Sequence, residues 1–247
     1  MIGAIAGDII GSVYEGSGFK SKRFLLFERG ARFTDDSVLT IAVAQAILEF
    51  GRRYPDAGYS GQFQAWLRSR APRPYQSFGN GAAMRVSPVG FAFDSEAAVL
   101  TEARKTAEIS HDHPEGVKGA QATALAVFLA RTGASKEAIR EELVGRFEYD
   151  LERTVDRIRP DYGFDLSCQG TVPEAVVCFL ESDSFEDAVR NAVSLGGDSD
   201  TLACIAGTIA HAFYGALPAH VVAGVQRTLD TDLWSVTERF CVRFGIA

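Results

Sequence analysis

Apolar residues recur at helical spacing along most of the chain, and the alternation a strand requires is scarce. Runs at 37–50, 61–70, 96–109, 117–132, 136–147, 173–181, 185–195, 201–214 and 232–244 carry Ala, Leu, Ile, Val and Phe on one helical face. RFLLF at 23–27 is the best short strand candidate. Several starts carry helix signals. Ser95, Ser135 and Ser184 stand where an N-cap hydroxyl is wanted, and Glu186 and Asp187 follow in a first turn. Pro173 suits a first helical turn. Helices joined by short loops with almost no strands predict an all-α fold. The segments 51–60, 71–81 and 157–172 are expected loops, the last being the longest irregular stretch. None resembles a flexible interdomain linker, so residues 1–247 are expected to form a single domain.

Two acidic clusters stand directly before two of these runs: Thr34-Asp35-Asp36 in FTDDSVLTIAV and Asp198-Ser199-Asp200-Thr201 in LGGDSDTLACIAG. A carboxylate at a helix start either caps open N–H groups or turns outward to hold a cation. Capping needs one side-chain oxygen per helix, so the additional carboxylates lack a structural reason. If the two helix ends face each other, carboxylate and hydroxyl oxygens converge without thiol or imidazole. That donor set favours Mg²⁺, Mn²⁺ or Ca²⁺ over Zn²⁺ or copper, and its size suits two metals.

The formal charge of −7, with no Lys/Arg-rich run, argues against nucleic acid as a bulk partner. The four cysteines, Cys168, Cys178, Cys204 and Cys241, form no CxxC pair. They read as buried thiols in a reducing, cytoplasmic setting. MIGAIAGDIIGSVYEG lacks a basic start, and Asp8 interrupts its apolar run, so it is not read as a signal peptide. No apolar run reaches membrane-spanning length.

Three further motifs bear on chemistry. In GDIIGSVYEG, Gly7 and Gly11 allow close approach of another backbone, and Glu15 either ends a packed helix in solvent or overhangs the metal site; both remain open at this level. In SFGNGAAMR, Gly79, Asn80 and Gly81 offer N–H groups before an expected helix, and Phe78 is placed to stack on a base or ribose. The alternative there is an ordinary Asn-Gly turn. In SHDHP, the i, i+2 spacing of His111 and His113 and the absence of partner ligands argue against zinc. A single imidazole, His111, is the better donor to a phosphate or sugar oxygen.

Taken together, GDIIGSVYE at 7–15, FTDDS at 33–37, GNGAAMR at 79–85, SHDHP at 110–114 and GGDSDT at 196–201 resemble the ADP-ribosylglycohydrolase family, from Gly3 to about Gly215. The resemblance implies an orthogonal helical bundle around a binuclear Mg²⁺ or Mn²⁺ site. By position, Thr34, Asp35, Asp36, Asp198, Asp200 and Thr201 match its metal ligands, and Glu15 an acidic residue beside the metals. Gly79, Asn80, Gly81 and Met84 match a loop along the diphosphate and distal ribose, and His111 a histidine near bound ADP-ribose. The expected reaction is metal-assisted hydrolysis of the bond joining ADP-ribose to a protein side chain or small acceptor, with Glu15, Asp35 or Asp36 carrying protons. The alternative is a non-catalytic module that binds ADP-ribose. The chain is short for the family, with little between Glu15 and Thr34, so loops that choose the acceptor are expected to be reduced.

Overall fold

The computed structural model describes residues 1–43 and 47–246. Among them the regular structure is entirely helical: α1 Ile2–Gly11, α2 Asp35–Val43, α3 Ile47–Arg53, α4 Gly61–Arg68, α5 Gly81–Met84, α6 Ser87–Ala92, α7 Glu96–Glu108, α8 Pro114–Arg131, α9 Lys136–Phe147, α10 Val155–Ile158, α11 Cys168–Leu180, α12 Phe185–Leu195, α13 Ser199–Tyr214, α14 Ala219–Thr228 and α15 Thr231–Phe244. The all-α expectation holds. The expected helix 37–50 is described as α2 and α3, its residues 44–46 lying outside the described ones.

Caps set many of the boundaries. The side chains of Ser95, Ser135 and Ser184 accept from the N–H groups of Ala98, Ala138 and Asp187, as their sequence positions predict. Pro173 differs from expectation. Ser167 caps α11 by accepting from Gly170 N, so the helix starts at Cys168 and Pro173 lies inside it. The cap wins because the proline forfeits a single backbone bond, near the start of the helix. RFLLF is irregular rather than a strand: no second strand is present among the described residues to pair with it. Its aromatic rings are used individually, Phe24 against Tyr14 and Phe19, and Phe27 against Gly224.

Helix α13 runs through the centre and packs against α1, α8, α11 and α12. Helix α1 is buried along its whole length, which is why no amphipathic period marks it. Its approach to α13 is very close. A Cβ added at Gly7 would lie 2.0 Å from Ala203 O, and one at Gly11 2.5 Å from Ser199 O. Two hydrogen bonds lock the pair: Gly3 N donates to His211 Nδ1 at 3.1 Å, and Ser199 Oγ to Gly11 O at 3.0 Å. This contact brings the C-terminal half of α1 alongside the N-terminus of α13, where the acidic residues stand. No helix among the described residues is long and apolar enough to cross a membrane, and all four cysteines are free and buried.

The contact predicts a sharp contrast between two glycines. Gly7→Ala is expected to destabilise by about 1–3 kcal/mol or more through overpacking against backbone that has no room to yield. Gly145→Ala, on α9 with nothing within 4 Å of the new Cβ, is expected to stabilise by roughly 0.5–1 kcal/mol. Urea unfolding of both variants measures the difference; equal effects would rule out the tight α1–α13 contact.

Candidate active site

The chain delivers its acids to one place from three helices. Asp35 and Asp36 occupy the first turn of α2, Asp198 and Asp200 flank the start of α13, and Asp8 projects from α1. The Gly196-Gly197 pair, both at φ +72, makes the turn into α13, and a Cβ on Gly197 would lie 2.5 Å from Gly163 O. Asp198 stands at the N-cap position of α13, yet its side chain makes no capping bond. It accepts instead from Asn80 Nδ2 at 2.5 Å, and Asn80 Nδ2 also reaches Thr171 Oγ1 at 3.1 Å. The Asp198 side chain is therefore not used as a helix cap.

Asp8, which sequence reasoning treated only as an interruption, organises the cluster. It is wholly buried. Its Oδ1 accepts from Thr34 Oγ1 at 2.6 Å; its Oδ2 accepts from Thr34 N at 2.9 Å, Ser37 N at 3.1 Å and Ser37 Oγ. Both oxygens are thus occupied in fastening the first turn of α2 to α1. One acid in an otherwise apolar helix of small residues was the available signal, because a buried carboxylate must find donors.

Asp36 is in the opposite condition. Thr201 Oγ1 donates to its Oδ2 at 3.3 Å, while the single proton of Thr34 is directed to Asp8 at the shorter distance. Among the described residues, no N–H or O–H group reaches the buried Asp36 Oδ1. Carboxylate oxygens of Asp8, Asp36 and Asp200 lie within 4.8 Å of one another, and so do those of Glu15, Asp198 and Asp200. Asp200 belongs to both groups. Asp35 belongs to neither, although it lines the same cavity.

That cavity, about 570 Å³, is lined by Glu15, Thr34, Asp35, Asp36, Phe78, Gly79, Asn80, Gly81, Met84, His111, Asp198, Asp200 and Thr201, together with other residues. Every candidate residue named from the sequence therefore borders one space, of a size suited to a small-molecule ligand. Glu15 is exposed at its edge, with its carboxylate beside those of Asp198 and Asp200, while Gly7 and Gly11 pack against α13. The loop before α5 is pinned by a single bridge to the loop before α11. Asn80 N donates to Leu166 O at 2.8 Å, and Cys168 N to Phe78 O at 2.9 Å. The bridge carries Phe78, Phe164 and Leu166, each about half exposed, to the cavity rim. Phe164 and Leu166, from the irregular stretch before α11, had no sequence signal beyond loop length.

Burial raises the proton affinity of the acids, and their mutual repulsion raises it further. Asp35 is pushed up to about 8, by burial first and then by the charges of Asp8 and Asp198. Asp8 rises to about 6 by burial, against the pull of its hydrogen bonds from Ser37 and Thr34. Burial and neighbouring charge hold Asp36 and Asp200 well above the ordinary range, and burial raises Asp198. Glu15 is raised by burial and by Asp198.

A folded-state value above the unfolded value stabilises only at low pH, and that stability is lost as pH rises through the folded value. The metal-free protein is therefore expected to lose stability between about pH 4, the ordinary aspartate value, and pH 8, the value of Asp35. A drop in Tm of roughly 5 °C or more is expected, since one unit of raised pKa is worth about 1.4 kcal/mol and each kcal/mol ~2–4 °C at this size. Thermal melts in chelator across that range, repeated with Mg²⁺, check this. Mg²⁺ should flatten the curve, and a chelated Tm that rises with pH would contradict the reading.

Comparison with known proteins agrees with the geometry. The family model described as ADP-ribosylglycohydrolase matches residues 1–245. ADP-ribosylhydrolase ARH3 of Mus musculus is 28% identical over 305 aligned positions, covering 87% of this chain and 82% of that protein. That alignment is longer than this chain, so the mouse protein carries insertions that this chain lacks. The ADP-ribosyl-[dinitrogen reductase] glycohydrolase of Rhodospirillum rubrum is 27% identical, covering 74% and 69% of the two chains. A solved structure described as an ADP-ribosylglycohydrolase-related protein complex superposes with a TM-score of 0.73 at 23% identity, over 97% of this chain and 95% of that one, and shares the fold. A family match along essentially the whole chain, on the same helical fold, places this protein in the ADP-ribosylglycohydrolase family, as a hydrolase of glycosyl bonds.

Proposed function

We propose that this protein releases ADP-ribose from an acceptor, an ADP-ribosylated protein side chain or a small ADP-ribosyl compound, with two divalent cations, Mg²⁺ or Mn²⁺, as cofactors. The observation that carries the reading is the buried, unpartnered Asp36 Oδ1 within a cluster of raised carboxylates at one end of the cavity. Repulsion of that kind is costly unless a cation relieves it. The donors fit a hard cation: all are oxygens, and Asp36, Asp200, Asp198 and Glu15 have oxygens to spare where Asp8 does not. Thr34, Asp35 and Thr201 border the same space and complete the proposed ligand set. When bound, the cations supply positive charge for the hydroxyls of the distal ribose and for the attacking water.

The chain's own residues do the rest. Gly79, Asn80, Gly81 and Met84 form the wall along which the diphosphate and ribose lie, and Phe78 at the rim offers a face for stacking. Positive charge develops at the anomeric carbon as the bond breaks, and the surrounding carboxylates stabilise it. Proton transfer belongs to Glu15, exposed at the rim, and to Asp35, half-buried beside it; Asp36, enclosed and hydrogen-bonded by Thr201, serves to hold charge. The relatives' names specify ADP-ribosyl substrates, among them ADP-ribosyl-dinitrogen reductase, which supports this substrate class. Four free, buried thiols fit a cytoplasmic protein.

The test is release of ADP-ribose from arginine-linked and serine-linked substrates, with Mg²⁺, Mn²⁺ or chelator. Release that depends on metal, and that falls by about 100-fold or more in Asp36→Asn, is expected. Full turnover in chelator, or an unimpaired Asp36→Asn variant, would overturn the proposal. Tight ADP-ribose binding with no release from any linkage would favour a binding module.

A further inference from the structure

Among the described residues, the largest fully buried side chain is a cation. Arg85, directly after α5, has no exposure, and among the described residues no carboxylate pairs with it. Its Nη2 donates to Thr106 O at 3.0 Å and to Ser110 Oγ at 3.0 Å, while Nε and Nη1 have no partner. Arg85 borders the cavity, but its side chain has no exposed surface, so its influence on the site runs through its neighbours; Ser110 Oγ lies 2.8 Å from Nδ1 of His111.

One assignment gives the Ser110 proton an acceptor; a hydroxyl that accepted from both Arg85 and a Nδ1–H would leave that proton without one among the described residues. Arginine only donates, so Ser110 Oγ accepts from Arg85. The hydroxyl keeps one proton, and the acceptor it reaches among the described residues is His111 Nδ1. His111 Nδ1 therefore carries a lone pair and Nε2 carries the hydrogen. Burial and the Arg85 charge push His111 down to about 2, so the ring is neutral at physiological pH. Nε2 faces the wall of the cavity: a Cβ on Gly81 would lie 3.1 Å from it and one on Gly79 3.6 Å. It makes no hydrogen bond within the protein among the described residues. With the opposite tautomer, Nε2 would present a lone pair to an oxygen-rich ligand.

We propose that Arg85 and Ser110 are positioning residues that hold His111 as a neutral Nε2–H donor, aimed at an oxygen of ADP-ribose lying along Gly79–Gly81. The ligand named here rests on the function proposed above; the tautomer does not. Long-range ¹H–¹⁵N correlation spectra of histidine-labelled protein read the tautomer directly, with His111→Gln identifying the signal. An unprotonated Nδ1 and a protonated Nε2 are expected in the free wild type, and a mixture of tautomers in Ser110→Ala and in Arg85→Met. A protonated Nδ1 in the wild type would overturn the relay.

Calorimetric ADP-ribose affinities supply the second arm. Gln places an amide N–H near the position of Nε2 and does not need the serine to orient it. Ser110→Ala is expected to weaken binding on the order of five- to tenfold in the wild type, as for one misdirected hydrogen bond. In the His111→Gln background the same change should cost less than about twofold, because the coupled partner is gone. Equal losses in both backgrounds would make Ser110 merely structural and overturn the proposal. If the wild type fails to bind ADP-ribose, the functional reading fails, and the spectrum alone then decides the relay.

Discussion

The backbone contact between α1 and α13 is the constraint on which the site depends. With no side chain at Gly7 or Gly11, the two helices approach until a single carbon would not fit between them. That proximity is what allows Asp8 on α1 to reach the first turn of α2 while Asp198 and Asp200 enter from α13. Helices separated by ordinary side chains sit about 8–10 Å apart, a spacing at which these short acids would not share one centre. The smallest residues in the chain thus determine the distances among its most strongly interacting ones.

The fold concentrates like charge at this place, and the carboxylates differ in how they tolerate it. Asp8 is stabilised by four donors and serves as a structural clamp. Asp36 is equally buried but has a single hydroxyl committed to it and one oxygen with no donor. Two buried aspartates within hydrogen-bonding range of the same threonine have therefore been given different tasks by the local supply of N–H and O–H groups. On the opposite wall the electrostatic logic is reversed. Burial, and after it the charge of Arg85, keeps His111 uncharged, so the cavity lining combines negative charge from the acids with a neutral imidazole.

Much of this was legible in the sequence, for identifiable reasons. The helical period marks half-buried helices such as α7, α9 and α15 but misses α14, and serine caps locate several starts within a residue. The period fails at α1, which is buried all round, and in the stretch before α11, where the Ser167 cap extends the helix ahead of Pro173. The acidic clusters were visible because their carboxylates exceed what capping requires. Asp8 was not, because a lone acid in an apolar run has the same appearance whether it interrupts a helix or anchors a site. Arg85 and Ser110 stood inside noted motifs, but nothing in their spacing shows that they meet.

By itself the sequence determined the helical class and singled out a set of oxygen-bearing side chains of the kind that suits a hard cation. These follow from periodicity and from side-chain composition, which are local properties of the chain. Only the tertiary structure decided which acids converge, that both oxygens of Asp8 are engaged while one of Asp36 is not, and which nitrogen of His111 lies against Gly79 and Gly81. Those outcomes depend on contacts between residues up to 208 positions apart, such as Gly3 with His211. A hydrogen bond or a Coulomb repulsion is set by distance in space, and no local pattern encodes that distance.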